Sequence, residues 1–213
     1  MNSETSAAGS STSFTDFVAG HRILVSRIFA AALVGALLVA GSRLEGILVS
    51  DVLFFVGLAL VGVATIGRLW CSLYISGYKN SELITVGPYS VTRNPLYFFS
   101  FVGFVGVGFA TEMLTFAAVI AVFFAIVYPR IIVREEAVLR AKFGDAFEAY
   151  CERVPRFLPK PSAYFEPASW TVAMRRFRRT MLDVVWFVWL VALCELVEAI
   201  HELGIVKPLI SLY

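Results

Sequence analysis

Between residues 96 and 129 the chain runs 34 residues with one charged side chain, Glu112. As a single helix this stretch would be about 50 Å long at 1.5 Å per residue, against a bilayer hydrocarbon core of about 30 Å. Two short helices joined by a tight turn at Thr111-Glu112 fit the length better. Three further apolar stretches cover residues 23–40, 52–75 and 182–200. Only 16% of the residues are charged and 59% are hydrophobic, where a soluble domain carries about 25% charge. One core of this size cannot hide so much apolar surface. The expected fold is therefore all-α, a polytopic membrane protein of about five transmembrane helices.

The few charges are sorted. With the N-terminus placed in the cytoplasm, sixteen of the eighteen Lys and Arg residues fall on the cytoplasmic side, and only Arg43 and Lys207 fall outside. Basic residues favour cytoplasmic loops, so the expected orientation is N-in, in the inner membrane if the source is bacterial. It leaves two polar segments on one side, residues 78–94 and 130–180, and puts any polar chemistry there. The expected organisation is a disordered tail over 1–20, a helical domain over 21–200 and a short C-terminal tail over 201–213. Within the domain, 160–181 forms a basic linker before the fifth span.

Other partners are disfavoured. A net charge of +2 gives no basic footprint for nucleic acid. Cys71, Cys151 and Cys194 are far apart and odd in number, and His21 and His201 lie near opposite ends. Neither a disulfide framework nor a metal site is expected.

The first polar segment reads SELITVGPYSVTRNPLYFF over 81–99. Gly87-Pro88 and Asn94-Pro95 are turn signals, and Pro95 suits the first turn of a helix. A helix N-terminus there can hold a carboxylate or phosphate; the plainer reading is a turn anchored by Tyr89 and Tyr97. In the second segment Leu139, Phe143, Phe147 and Tyr150 form an amphipathic stripe interrupted at Gly144. Asp145 with Glu148 reads as a capping-box variant. Taken alone, Glu135-Glu136 reads as a solvated pair on a helix face.

In order, GPYxxxRNPLY, an apolar hairpin, REE and FGxxFxxYxxxVPRFLP resemble the isoprenylcysteine carboxyl methyltransferase and phospholipid methyltransferase superfamily, across residues 81–159. The resemblance implies a membrane methyltransferase that uses S-adenosylmethionine. It implies cofactor contacts from Ser81, Glu82, Leu83, Ile84, Tyr89, Asn94, Pro95, Leu96, Tyr97 and Glu135. Arg130, Arg134 and Glu136 are candidates for orienting the substrate, with positive-inside anchoring as the other reading of the arginines. Family members often carry His where this chain has Asn94, which has no proton to exchange near neutral pH, so no acid–base role is assigned there. The isoprenylcysteine type has an Arg where this chain has Ile131.

The acceptor is expected to be lipid-like: a prenylated cysteine carboxylate, a phospholipid amine or a small thiol. Two alternatives stay open. One is a nicotinamide-dependent membrane reductase of the sterol-reductase type, whose C-terminal helices resemble this family. The other is a non-catalytic membrane protein that retains the fold. In the fifth span Glu195, Glu198 and Glu202 form one acidic face, which lies in the outer interface, pairs with Arg43 or lines a substrate groove. Gly103, Gly106 and Gly108 read as close helix contacts.

Overall fold

The computed structural model describes residues 22–44, 46–78 and 81–213, with side chains for all of these except 22–27 and 183. The expected tail over 1–20, His21, Lys79 and the side chains of Arg22 and Arg27 lie outside the described residues.

Every apolar stretch forms helix. The first is α1 (Arg22–Val39), followed by the three-residue strand β1 (Ala40–Ser42) and by α2 (Leu48–Ile75). A single turn, α3 (Pro88–Val91), leads to α4 (Pro95–Ala110). Next come α5 (Leu114–Phe143) and α6 (Asp145–Arg153). The chain ends with α7 (Met174–Val184), α8 (Trp186–Glu202) and the strand β2 (Ile210–Leu212). The long uncharged stretch is a hairpin: α4 and α5 turn through Thr111 and Glu112, and Glu112 adopts a φ of +57°.

The protein is a helical, polytopic membrane protein. Among the described residues, three helical stretches are long and apolar enough to cross a bilayer: Leu48–Ile75, Leu114–Phe143 and Met174–Glu202. Ile28–Val39 and Pro95–Ala110 are shorter apolar helices. The last of the three long stretches is interrupted at Val185, where α7 meets α8. Outward-facing Phe55, Ile66, Val122, Ile126 and Trp189 are exposed, which suits contact with lipid chains rather than water.

The most extensive helix pair is α2 with α4. They touch backbone to backbone. A Cβ on Gly57 would lie 2.6 Å from the Gly106 carbonyl oxygen, and one on Gly106 would lie 2.8 Å from the Gly57 carbonyl oxygen. Small residues are what allow such an approach in a membrane, where there is no hydrophobic drive between helices. The main core lies around this contact and joins Val61, Val107 and Ala110 to Leu37, Phe116, Phe187 and Val191.

The two short strands pair in parallel, with Ala40 opposite Ile210 and Ser42 opposite Leu212. The Arg43 N–H donates to the Leu212 carbonyl at 2.7 Å, and the Thr115 N–H to the Tyr213 carbonyl at 2.6 Å. This pairing joins β1 to segments far away in sequence, and periodicity does not announce it. Arg43 does not pair with the acidic face of α8: it lies 4.8 Å from the centre of the Tyr213 ring. Glu195, Glu198 and Glu202 instead line an open groove with Glu112 and Phe54.

Candidate active site

The two polar segments meet on Glu136. Its helix, α5, continues beyond the apolar hairpin and carries Glu136 to a position 2% exposed. Its Oε1 accepts from Arg93 Nε at 3.1 Å and from Asn94 Nδ2 at 3.1 Å. Its Oε2 accepts from Arg156 Nε at 3.0 Å. The expectation of a solvated Glu135-Glu136 pair is therefore corrected for Glu136. A buried carboxylate must be paired or lose its charge, and two guanidinium groups and an amide hold this one.

The loop between α2 and α4 is fastened by the same segments. Asn94 Nδ2 also donates to the Arg156 carbonyl at 2.9 Å, and Arg93 Nη1 to the Cys151 carbonyl at 2.9 Å. The Arg93 N–H donates to the Pro155 carbonyl at 2.9 Å, and the Lys160 N–H to the Val91 carbonyl at 2.8 Å. The Thr92 hydroxyl donates to the Phe157 carbonyl at 3.0 Å, and the Tyr150 hydroxyl to the Tyr89 carbonyl at 2.7 Å. Pro95 opens α4 as expected. Asn94 precedes it without capping it through its side chain, because the carboxamide is turned to Glu136.

The stripe of Leu139, Phe143, Phe147 and Tyr150 packs as one cluster with Val154 and Leu83. The expected capping box does not form. Gly144, with a φ of +51°, occupies the cap position without a side-chain bond. Glu148 instead accepts a hydrogen bond from Arg140, which holds its carboxyl below the usual range.

The remaining candidates fall into three settings. Ser81 and Glu82 are exposed, and the Ser81 hydroxyl donates to its own turn at the Tyr78 carbonyl. Ile84, Tyr89 and Leu96 pack with Cys71 and Tyr74. Tyr97 packs against Val127, Ile131 and Tyr128, its ring edge-on to Tyr128 with centroids 5.5 Å apart. Glu135 is half-buried. Arg130 and Arg134 are exposed, and Arg130 donates to the Ile126 carbonyl of its own helix.

Two buried hydroxyls, those of Tyr89 and Ser72, have no hydrogen-bond partner among the described residues. Buried polar groups are rarely left so. Burial pushes the Tyr89 hydroxyl well above its ordinary pKa, so it stays a neutral donor. Unpartnered buried hydroxyls of this kind suit a polar ligand.

Sequence reasoning left Arg93, Arg156, Tyr128 and Phe157 out of the site. The first two stood in view inside RNPLY and VPRFLP. Nothing in the spacing told that Phe157 would pack against Phe98, Phe101 and Phe124.

The phospholipid methyltransferase family model matches residues 52–146. The cobalt-zinc-cadmium resistance protein CzcN of Cupriavidus metallidurans is 40% identical over 205 residues, 96% of this chain and 94% of that protein. The nickel-cobalt-cadmium resistance protein NccN of Alcaligenes xylosoxydans xylosoxydans is 44% identical over 134 residues, 63% of this chain and 62% of that protein. No solved structure matches.

Proposed function

The chain belongs to the phospholipid methyltransferase family, and from that premise we propose that it transfers the methyl group of S-adenosylmethionine to a lipid-like acceptor at the cytoplasmic surface of a membrane. The observation that carries the reading is the buried Glu136, which ties the RNPLY loop to the helix bearing Glu135 and to the VPRFLP segment. The motifs that resemble the family thereby come together at one end of the bundle.

When bound, S-adenosylmethionine supplies an electrophilic methyl group on a cationic sulfonium. Glu135 pairs the ammonium or binds the ribose hydroxyls. Tyr97 would offer its ring to the adenine or the positive charge. The Tyr89 and Ser72 hydroxyls donate to the polar edge of the ligand. Glu136 touches nothing that reacts in this scheme. It positions Asn94 and the start of α4, and fixing such a frame keeps the acceptor in line with the methyl group. Arg134 faces the acceptor's anionic group, where a guanidinium can bind two oxygens at once.

The acceptor is a prenylated cysteine carboxylate, a phospholipid amine or a small thiol. The relatives are named as metal-resistance proteins, which points to a setting in which the methylated product matters under divalent-metal load. Calorimetry with S-adenosylmethionine tests this placement. The wild type binds it, and Glu135→Ala and Tyr97→Ala each weaken binding at least tenfold. Unchanged affinity in both variants sinks the placement, and binding of NADPH instead favours the reductase reading. Incubation with radiolabelled S-adenosylmethionine and native lipid extract then identifies the acceptor class.

A further inference from the structure

Five aromatic side chains gather at the loop-bearing end of α2. Trp70 and Tyr74 belong to α2, and Tyr78 follows it. Tyr164 and Trp170 come from the segment between α6 and α7, beyond the residues that the family model matches. Ring centroids lie 5.1 Å apart for Tyr78–Trp170, 5.4 Å for Tyr74–Trp170 and 5.8 Å for Trp70–Tyr164. All three pairs are tilted rather than face to face. The segment is held in register, since the Gly87 N–H donates to the Phe165 carbonyl and the Phe165 N–H to the Ser90 hydroxyl. The Trp170 indole N–H donates to the Tyr74 carbonyl at 3.2 Å.

A carboxylate sits among these rings. Glu166 accepts from the Tyr74 hydroxyl through Oε1 and from the Tyr164 hydroxyl through Oε2. Interfacial Trp and Tyr are ordinary membrane anchors, and that accounts for the rings. It does not account for an acidic group turned onto two of them. The tyrosine hydroxyls, Tyr164 first, hold the Glu166 carboxyl below its usual range, so it is charged at neutral pH. Among the described residues, the cation–ring pairs use Tyr213, Phe187, Phe147 and Phe143, and none uses these five rings. Arg176 donates to the Gly77 carbonyl.

We propose that this cluster binds an alkylammonium group. Aromatic faces attract cations through the ring quadrupole, and quaternary ammonium groups, which have no N–H to donate, depend on that attraction. The Glu166 carboxylate supplies the counter-charge. The group is carried by a lipid headgroup or by a soluble amine. The rings pack against Tyr89 and Leu96 of the candidate site, but this binding needs no S-adenosylmethionine.

The test is tryptophan fluorescence of the full chain in maltoside detergent, with Trp186→Phe and Trp189→Phe as background so that Trp70 and Trp170 report. Titration with tetramethylammonium chloride, against sodium chloride at equal ionic strength, gives a saturable change. Glu166→Gln and Tyr164→Leu, both at exposed positions, move its midpoint up at least tenfold. A second arm separates the sources. Loss of the tetramethylammonium response in phosphatidylcholine nanodiscs, but not in phosphatidylglycerol ones, supports a bound lipid headgroup. A response kept in both supports a soluble amine. No saturable change in detergent, or midpoints unmoved in both variants, overturns the proposal. No methyl donor is present, so the titration reads alkylammonium binding alone, and calorimetry with S-adenosylmethionine tests the methyltransferase reading.

Discussion

The carboxamide of Asn94 and the carboxylate of Glu136, 42 positions apart in sequence, meet at 3.1 Å. Through that contact the start of α4 and the extension of α5 become one rigid corner, with Arg93 and Arg156 completing the ring of donors. Glu136→Ala leaves Arg93, whose side chain is 10% exposed, without its counter-ion. Breaking a buried pair costs about 3–5 kcal/mol. Arg156 is half-exposed and recovers hydration, so the expected loss is about 2–3 kcal/mol by the same comparison. Unfolding in mixed micelles measures it, and Glu136→Gln, which keeps an acceptor for Asn94, falls between wild type and alanine.

The Gly57–Gly106 contact predicts a steric effect that no polar change imitates. Gly106→Val forces α2 and α4 apart and lowers the unfolding midpoint sharply. Gly35, with nothing within 4 Å of where a Cβ would stand, is the control: Gly35→Ala is neutral or slightly stabilising, since Ala is the better helix former. Equal effects at the two sites would show that propensity, not approach, governs the pair.

Orientation has a direct readout. In a background without the native cysteines, Ser81→Cys and Lys207→Cys place thiols at two exposed positions. With the N-terminus in the cytoplasm, a membrane-impermeant maleimide labels the Lys207 site in intact cells and the Ser81 site only after permeabilisation. The reverse pattern inverts the topology.

The Glu166 cluster carries a pH signature. Its folded pKa lies below the unfolded carboxylate value, which is about 4.3. Its stabilising effect is therefore complete above that value and is lost as pH falls through the folded pKa. The thermal midpoint of the wild type drops between about pH 5 and pH 3, a window set by that unfolded value, and part of the drop is missing in Glu166→Gln. Exposed Glu148, held low by Arg140, titrates in the same direction. Glu148→Gln removes a further part of the drop.

Much of this protein was legible in the order of its residues. The apolar runs marked the helices, because a backbone in lipid has to satisfy its own hydrogen bonds and helix is the local way to do so. The hairpin at Thr111-Glu112 followed from length alone, and Pro95 announced the start of α4. The stripe from Leu139 to Tyr150 became a packed cluster because its period is that of the helix. The methyltransferase motifs could be read because their elements keep order and spacing.

What the local pattern does not carry is which polar groups share a site. Glu135 and Glu136 are adjacent and chemically identical, yet successive positions on a helix point about 100° apart, a consequence of 3.6 residues per turn. Only the packing of α5 against the loop and the VPRFLP segment decided that Glu136 goes inside. The same holds for β1 with β2 and for Glu166 with Tyr74, partners that lie far apart in the chain. The sequence by itself determined a helical membrane protein and the order of its helices, because hydrophobic period and turn chemistry act over a few residues. The tertiary structure alone decided the buried carboxylate, the Gly57 partner of the Gly106 contact and the aromatic cluster, because those depend on which distant surfaces are pressed together.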